Sequence, residues 1–102
     1  MIFAWDEKKS QKNARERGLP FEMTKMMDFQ TAIFKEDTRK DYGEQRYIVY
    51  GLIGNRLHAL CFTPIPGGIR VFSLRKANKR EIKSYEIKSY KEKNEAENQT
   101  VN

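Results

Sequence analysis

GIRVFSLRKANKREIKSY, Gly68 to Tyr85, is the stretch whose reading decides the fold. Ile69 to Leu74 alternates with the period of a strand and is rich in β-branched and aromatic residues. Asn78 followed three residues later by Glu81 has the form of a capping box, so a helix is predicted to begin at Lys79. The same stretch carries six bases, Arg70, Arg75, Lys76, Lys79, Arg80 and Lys83, against one acid, Glu81. A strand that delivers its last arginine into a basic, capped helix makes a surface for anionic ligands, with RNA the favoured one. Strict alternation places Arg70 and Arg75 on opposite faces unless the strand twists or bulges near Arg75.

Upstream, Pro64, Pro66, Gly67 and Gly68 read as a connection, with the prolines ending a strand over Arg56–Thr63. Gly54-Asn55 fits a two-residue hairpin turn after a strand over Gln45–Ile53. Asp37–Gly43 is a charged loop, and Thr31–Glu36 the first strand of the meander. Tyr47–Ile53 and Leu57–Phe62 are apolar on both faces and read as central strands. At the N-terminus, Met1–Trp5 is a short apolar strand. Asp6 is an N-cap, residues Asp6–Arg17 a helix, and Gly18 its C-cap. That helix is polar nearly all round and is expected to dock through Ala14 and the stems of its lysines and arginines. Pro20 opens a second short helix, on which Phe21, Met23, Thr24, Met26 and Met27 form a core stripe in preference to a Met-rich binding groove.

Downstream, EIKSY occurs at Glu81–Tyr85 and again at Glu86–Tyr90. Five residues advance a helix by about 140° beyond one turn, so the copies cannot share a face. Ile82, Tyr85 and Ser89 form one stripe, and Ile87 and Tyr90 point elsewhere. After Tyr90 the polar run KEKNEAENQTVN is expected to fray or be disordered. The fold class is α+β: a single domain over residues 1–90, with a first strand, two helices, a four-stranded antiparallel meander and a last helix, then a polar tail over 91–102.

The 102 residues hold 20 Lys and Arg against 14 Asp and Glu, a net charge of +6. That balance favours polyanions or an acidic protein partner. The lone Cys61 excludes an intramolecular disulfide and a zinc-type cysteine cluster. The N-terminal apolar run is too short for a signal peptide and no run reaches transmembrane length, so a cytoplasmic location without membrane contact is expected.

Most parts of a familiar catalytic site are missing. His58, the only histidine, lies in a predicted central strand and reads as structural or partly exposed in preference to a general base. Cys61 reads as a small buried hydrophobe. No glycine loop cradles phosphate, no metal ligands cluster, and no cofactor is expected. Arginine, lysine, tyrosine and glutamate can nevertheless cleave RNA, because the ribose 2′-hydroxyl supplies the nucleophile. The protein then holds the phosphate in line, neutralises its oxygens and moves a proton. Arginine suits the phosphate, since its planar fork meets two oxygens at once. Exposed tyrosines can stack bases. The competing reading makes Arg70, Arg75 and Lys76 a solvated face.

Trp5-Asp6 with Lys8 and Asn13, Gly18, Phe21-Glu22, Glu36-Asp37, Gly43-Glu44-Gln45-Arg46-Tyr47, Gly51, Arg56-Leu57, Thr63, Ile69 to Ala77, Glu81 and Tyr85 together carry a resemblance. In that order and spacing the chain resembles the BrnT family of type II toxins, small ribonucleases with a RelE-like fold. The resemblance implies Arg75, Arg70, Arg46, Glu44 and Tyr85 as catalytic candidates, with Arg75 and Arg70 foremost as phosphate binders and Arg75 the safer of the two. It adds Lys76, which is read as an RNA contact together with Lys79 and Arg80 of the basic stretch. It also implies inhibition of translation and growth, and a BrnA-like ribbon-helix-helix antitoxin. Operator DNA would be met only through the toxin–antitoxin complex. Where the family often closes its first helix with His-Gly, this chain has Arg17-Gly18, so Arg17 stands in that position. Two other classes compete with the ribonuclease: a non-catalytic RNA-binding module and an antitoxin-docking subunit on the same basic surface.

Overall fold

The computed structural model describes residues 1–100, with side chains described to Asn94. In chain order the elements are β1 (Ile2–Trp5), α1 (Glu7–Arg17), a 3-10 helix (Phe21–Met26), β2 (Asp28–Glu36), β3 (Tyr47–Ile53), β4 (Arg56–Ile65), β5 (Gly68–Lys76) and α2 (Lys79–Thr100).

Local sequence explains the helix ends. Asp6 accepts from the backbone N–H groups of Lys8 and Lys9, and Gly18 closes α1 in the left-handed region at φ 70°. Both act as the sequence predicts, satisfying orphaned backbone groups. At α2, the Glu81 N–H donates to Asn78 Oδ1 at 2.8 Å and the Asn78 N–H donates to Glu81 Oε1 at 2.9 Å. This is the expected reciprocal box.

The sheet order is β1-β5-β4-β3-β2. The antiparallel meander expected from sequence is present as β2 to β5. The correction is that β1 joins it as a fifth strand, parallel to β5, with Ile2 opposite Gly68 and Trp5 opposite Val71, so the sheet is mixed. A parallel neighbour needs a long crossover, and the rest of the chain from α1 onward supplies it. Gly68 permits the approach, since a Cβ there would run into the Ile2 carbonyl.

Other boundaries differ for physical reasons. Pro64 lies inside β4, opposite Ile69. Pairing with β3 stops at Phe62, so Pro64 sits on a free edge where no N–H is required. The turn that follows is Pro66-Gly67 alone, with Gly67 at φ 78°. This matches a type II turn. Gly54-Asn55 is the expected tight turn between Ile53 and Arg56. The second helix is 3-10 throughout. Its methionines divide, with Met27 in the core, Met23 at its margin and Met26 68% exposed.

The core combines Leu19, Phe21 and Met27 with Val49, Ile53, Leu60, Phe62, Ile69, Val71 and Leu74 of the sheet. α1 docks differently from expectation: its buried residues are Ser10 and Asn13, and Ala14 is only half-buried. Ser10 Oγ accepts from the Phe21 N–H at 2.9 Å, and Asn13 Nδ2 donates to the carbonyls of Leu19 and Leu74 at 2.7 and 2.8 Å. On α2, Ile82, Tyr85 and Ser89 are half-buried whereas Ile87 and Tyr90 are exposed, as the five-residue repeat predicts. The helix continues to Thr100; residues 101–102 of the predicted tail lie outside the described residues.

Candidate functional site

Between β4 and β5 the register slips: Cys61 faces Ser73, but Phe62 faces Val71. The extra residue is a bulge in β5. Arg75 lies opposite Ala59 and Arg70 opposite Thr63. Ala59 and Thr63 share a face of β4 by alternation. The bulge therefore brings Arg70 and Arg75 to one face, removing the conflict that strict alternation creates.

Arg75 is not free on that face. Its guanidinium donates to both carboxylate oxygens of Glu81, at 2.7 and 2.9 Å. Glu81 thus fills the fork of Arg75 while capping the Asn78 N–H. The paired arginine and these hydrogen bonds outweigh burial and hold the Glu81 carboxyl down to about 2. Arg75 is correspondingly shifted up by Glu81. Tyr50 lies against the same carboxylate, and its phenol is pushed up by burial first and by Glu81 second.

Beside this cluster, a cleft of about 190 Å³ opens between β2, β3 and α2. Lys35, Tyr50, Arg80, Glu81, Tyr85 and Lys88 line it. The Tyr85 hydroxyl donates to the Thr31 carbonyl at 3.0 Å, which fixes the ring and ties α2 to β2.

A second arrangement surrounds Arg46. Its guanidinium carbon lies 4.2 Å from the Tyr42 ring centre and 4.0 Å from that of Phe72. Two aromatic faces thus clamp the plane and leave its N–H edge to other partners. Glu44 approaches that edge at 3.4 Å, too long to saturate it. Lys9 of α1 adds its ammonium 5.7 Å from the Phe72 ring. The clamp is built from within the loop: buried Asp37 accepts from Arg39 Nε and Nη2, each at 2.8 Å, and from the Tyr42 hydroxyl at 3.1 Å. The Arg39 guanidinium holds the Asp37 carboxyl well below the ordinary carboxylate range.

The remaining candidates sit at the margins. Lys76, Lys79 and Arg80 are exposed at the end of β5 and the start of α2. Lys76 lies opposite His58, one position and so one face away from Arg75. His58 is buried, its Nδ1 meets the Arg56 carbonyl at 2.8 Å, and burial lowers its pKa. Those are the features of the structural histidine predicted. Cys61 is half-buried and free. Arg17 reaches Asn13 Oδ1 and the Leu74 carbonyl at 3.3 and 3.4 Å. Among the described residues, no three His, Cys, Asp or Glu side chains gather as a metal set, and no helix is long and apolar enough to cross a membrane.

The sequence reading missed Tyr42, Phe72 and Asp37 around Arg46, and Lys35, Tyr50 and Lys88 in the cleft. Alternation offers one signal: Lys35 and Tyr50 fall on one face of adjacent strands, as Ile33 pairs Tyr50 and Lys35 pairs Ile48. The Arg46 clamp is only half local, because Tyr42 lies close to Arg46 in the chain whereas Phe72 comes from β5.

No curated protein matches this chain. The family described as "Ribonuclease toxin, BrnT, of type II toxin-antitoxin system" matches residues 5–81. The matched span contains Arg46, Arg70 and Arg75 and closes on Glu81, the partner of Arg75. Most of α2, with Tyr85 and Lys88, lies beyond it. The chain therefore belongs to the BrnT family, the ribonuclease toxins of type II toxin–antitoxin systems.

Proposed function

We propose that this protein is an endoribonuclease that cleaves RNA without a metal ion, using the ribose 2′-hydroxyl as nucleophile. The 2′-oxygen loses its proton and bonds to the adjacent phosphorus. The P–O5′ bond breaks, the leaving oxygen takes a proton, and a 2′,3′-cyclic phosphate and a 5′-hydroxyl result. The observation that carries this reading is the clamp on Arg46, a guanidinium held rigid with its donor edge unsaturated beside a carboxylate. Such an edge stabilises charge that grows on phosphate oxygens without reorganising at the moment of reaction. Arg46 holds the phosphate, and Glu44 beside it accepts the 2′ proton. Arg70, exposed and without an ion pair among the described residues, guides the strand, with Lys76, Lys79 and Arg80 as further phosphate contacts. Arg75 spends its fork on Glu81 and positions the first turn of α2. Tyr85, with its hydroxyl committed to Thr31, offers its ring.

The RelE-like assignment of the fold rests on the family relation. So do the cytoplasmic site of action, the inhibition of translation and growth, and neutralisation by a BrnA-like ribbon-helix-helix antitoxin through which operator DNA is met. One observation favours the non-catalytic reading: Arg75, the arginine best fixed by its neighbours in sequence, is already paired. Controlled expression in a host cell, with growth and RNA integrity followed together, separates the two. Growth arrest with new RNA ends is expected. Soluble protein that produces neither effect would leave an RNA-binding or antitoxin-docking module.

A further inference from the structure

We propose that the cleft between β2, β3 and α2 is a nucleotide subsite, which seats one unstacked base and an adjoining phosphate of the single-stranded RNA. The inference rests on the ribonuclease reading and adds to it a site outside the Arg46 clamp. Three cations reach the cleft from two elements, Lys35 from β2 and Arg80 and Lys88 from α2. None of them is ion-paired among the described residues. The one acid in the lining, Glu81, has its charge answered by the fork of Arg75 and its remaining capacity used by the Asn78 N–H. The lining is therefore left with uncompensated positive charge around an opening, the condition that draws a phosphate.

Two phenol rings, Tyr50 and Tyr85, complete the lining. Tyr85 is fixed by its bond to Thr31, and Tyr50 stands half-buried in the same lining as Glu81. Rings of fixed orientation beside cations are what single-stranded RNA uses for base stacking and backbone contact. A cleft of about 190 Å³ has room for a flat base or a phosphate. Bases in a duplex are already stacked and cannot enter. Arg70 lies on the face of β5 that carries Arg75 and has no ion pair among the described residues, so a strand leaving the cleft meets a free arginine across the sheet.

The test uses the full chain, a short single-stranded RNA, its uncleavable 2′-O-methyl version, the same sequence as duplex, and poly-glutamate. Lys35→Ala/Lys88→Ala changes two exposed side chains, and circular dichroism confirms the fold. In the double variant the Kd for the 2′-O-methyl strand should rise roughly tenfold, and its salt slope should flatten by about 0.7 for each phosphate that is no longer neutralised. KM for cleavage should rise in step while kcat holds, because only uniform binding is removed. The wild type should bind the strand more tightly than the duplex, and Tyr85→Ala should narrow that gap. A wild type that cleaves RNA, beside a folded double variant with unchanged Kd, slope and KM, overturns the subsite and leaves the ribonuclease reading intact. Loss of poly-glutamate binding with RNA binding unchanged also overturns it, assigning the cleft to an acidic protein. A wild type that binds the strand through these residues yet cleaves nothing supports the subsite and defeats the ribonuclease reading.

Discussion

Arg46 and Arg75 show how differently two arginines of one surface can be used. Arg46 has its plane held and its edge met only at 3.4 Å by Glu44; Arg75 has its edge filled by Glu81 at 2.7 and 2.9 Å. Arg46→Ala should therefore lower single-turnover cleavage by about 10²- to 10³-fold in protein that circular dichroism shows to be folded, by analogy with removing one oxyanion donor. Arg46→Lys should not restore it, since an ammonium can neither stack as a plane nor present a fork. Arg75→Ala should instead cost roughly 1.5 to 3 kcal/mol of unfolding free energy, the range for hydrogen bonds to charged groups. In a double-mutant cycle with Glu81→Gln most of that loss should appear as coupling. The Asn78–Glu81 box was legible because it is local, three residues apart on one helix turn. The use of Arg75 by the same Glu81 was not, because it depends on the angle at which β5 delivers the chain into α2. The clamp on Arg46 was less legible still. Phe72 comes from a bulge in β5, and Tyr42 is set by buried Asp37 within a stretch that reads as a charged loop.

α1 illustrates the limit of reading an element by its apolar stripe. It has almost none, and the methylene stems around Ala14 looked like its dock. Hydrogen bonds do that work instead. β1 stops pairing at Val71, so the outer edge of β5 beyond it lacks a strand, and Asn13 supplies a donor to Leu74 there. Asn13→Ala should destabilise the protein by roughly 1 to 3 kcal/mol, because the Leu19 carbonyl loses this donor and the Leu74 carbonyl keeps only the long contact from Arg17. Asn13→Asp should do no better, since a carboxylate has no N–H to give. Urea unfolding of both variants measures this. The strands were legible where alternation and turn residues agree, as at Gly54-Asn55. They were misjudged where topology intervenes. Pro64 looked like a strand end, but the early stop of β3 makes it a tolerated edge position. The parallel pairing of β1 with β5 leaves no local mark beyond Gly68, whose missing side chain admits the Ile2 backbone.

Across the whole molecule, stability and activity should separate in pH. His58 is buried and its folded pKa is lowered, so below its ordinary value of about 6.5 the unfolded chain binds the extra proton. Stability should fall as pH drops through about 6.5 toward that lower folded value, and His58→Gln should remove this step from the urea midpoint. Glu81 acts at lower pH. Its carboxyl stays ionised to about 2 in the folded state against 4.5 ordinarily, so its contribution is complete above 4.5 and is lost as pH falls toward 2. Neither group is the proposed proton acceptor, so a pH profile of cleavage should not track either unfolding step.

The central claim is that the basic surface around Arg46 promotes attack by the substrate's own 2′-hydroxyl. The most direct measurement is single-turnover reaction of the purified, folded protein with a short single-stranded RNA and with its 2′-O-methyl counterpart, end groups being identified by mass spectrometry. The account predicts cleavage of the first to 2′,3′-cyclic phosphate and 5′-hydroxyl ends, with the second left intact. Equal cleavage of both strands, or no cleavage of either by folded protein, would contradict it.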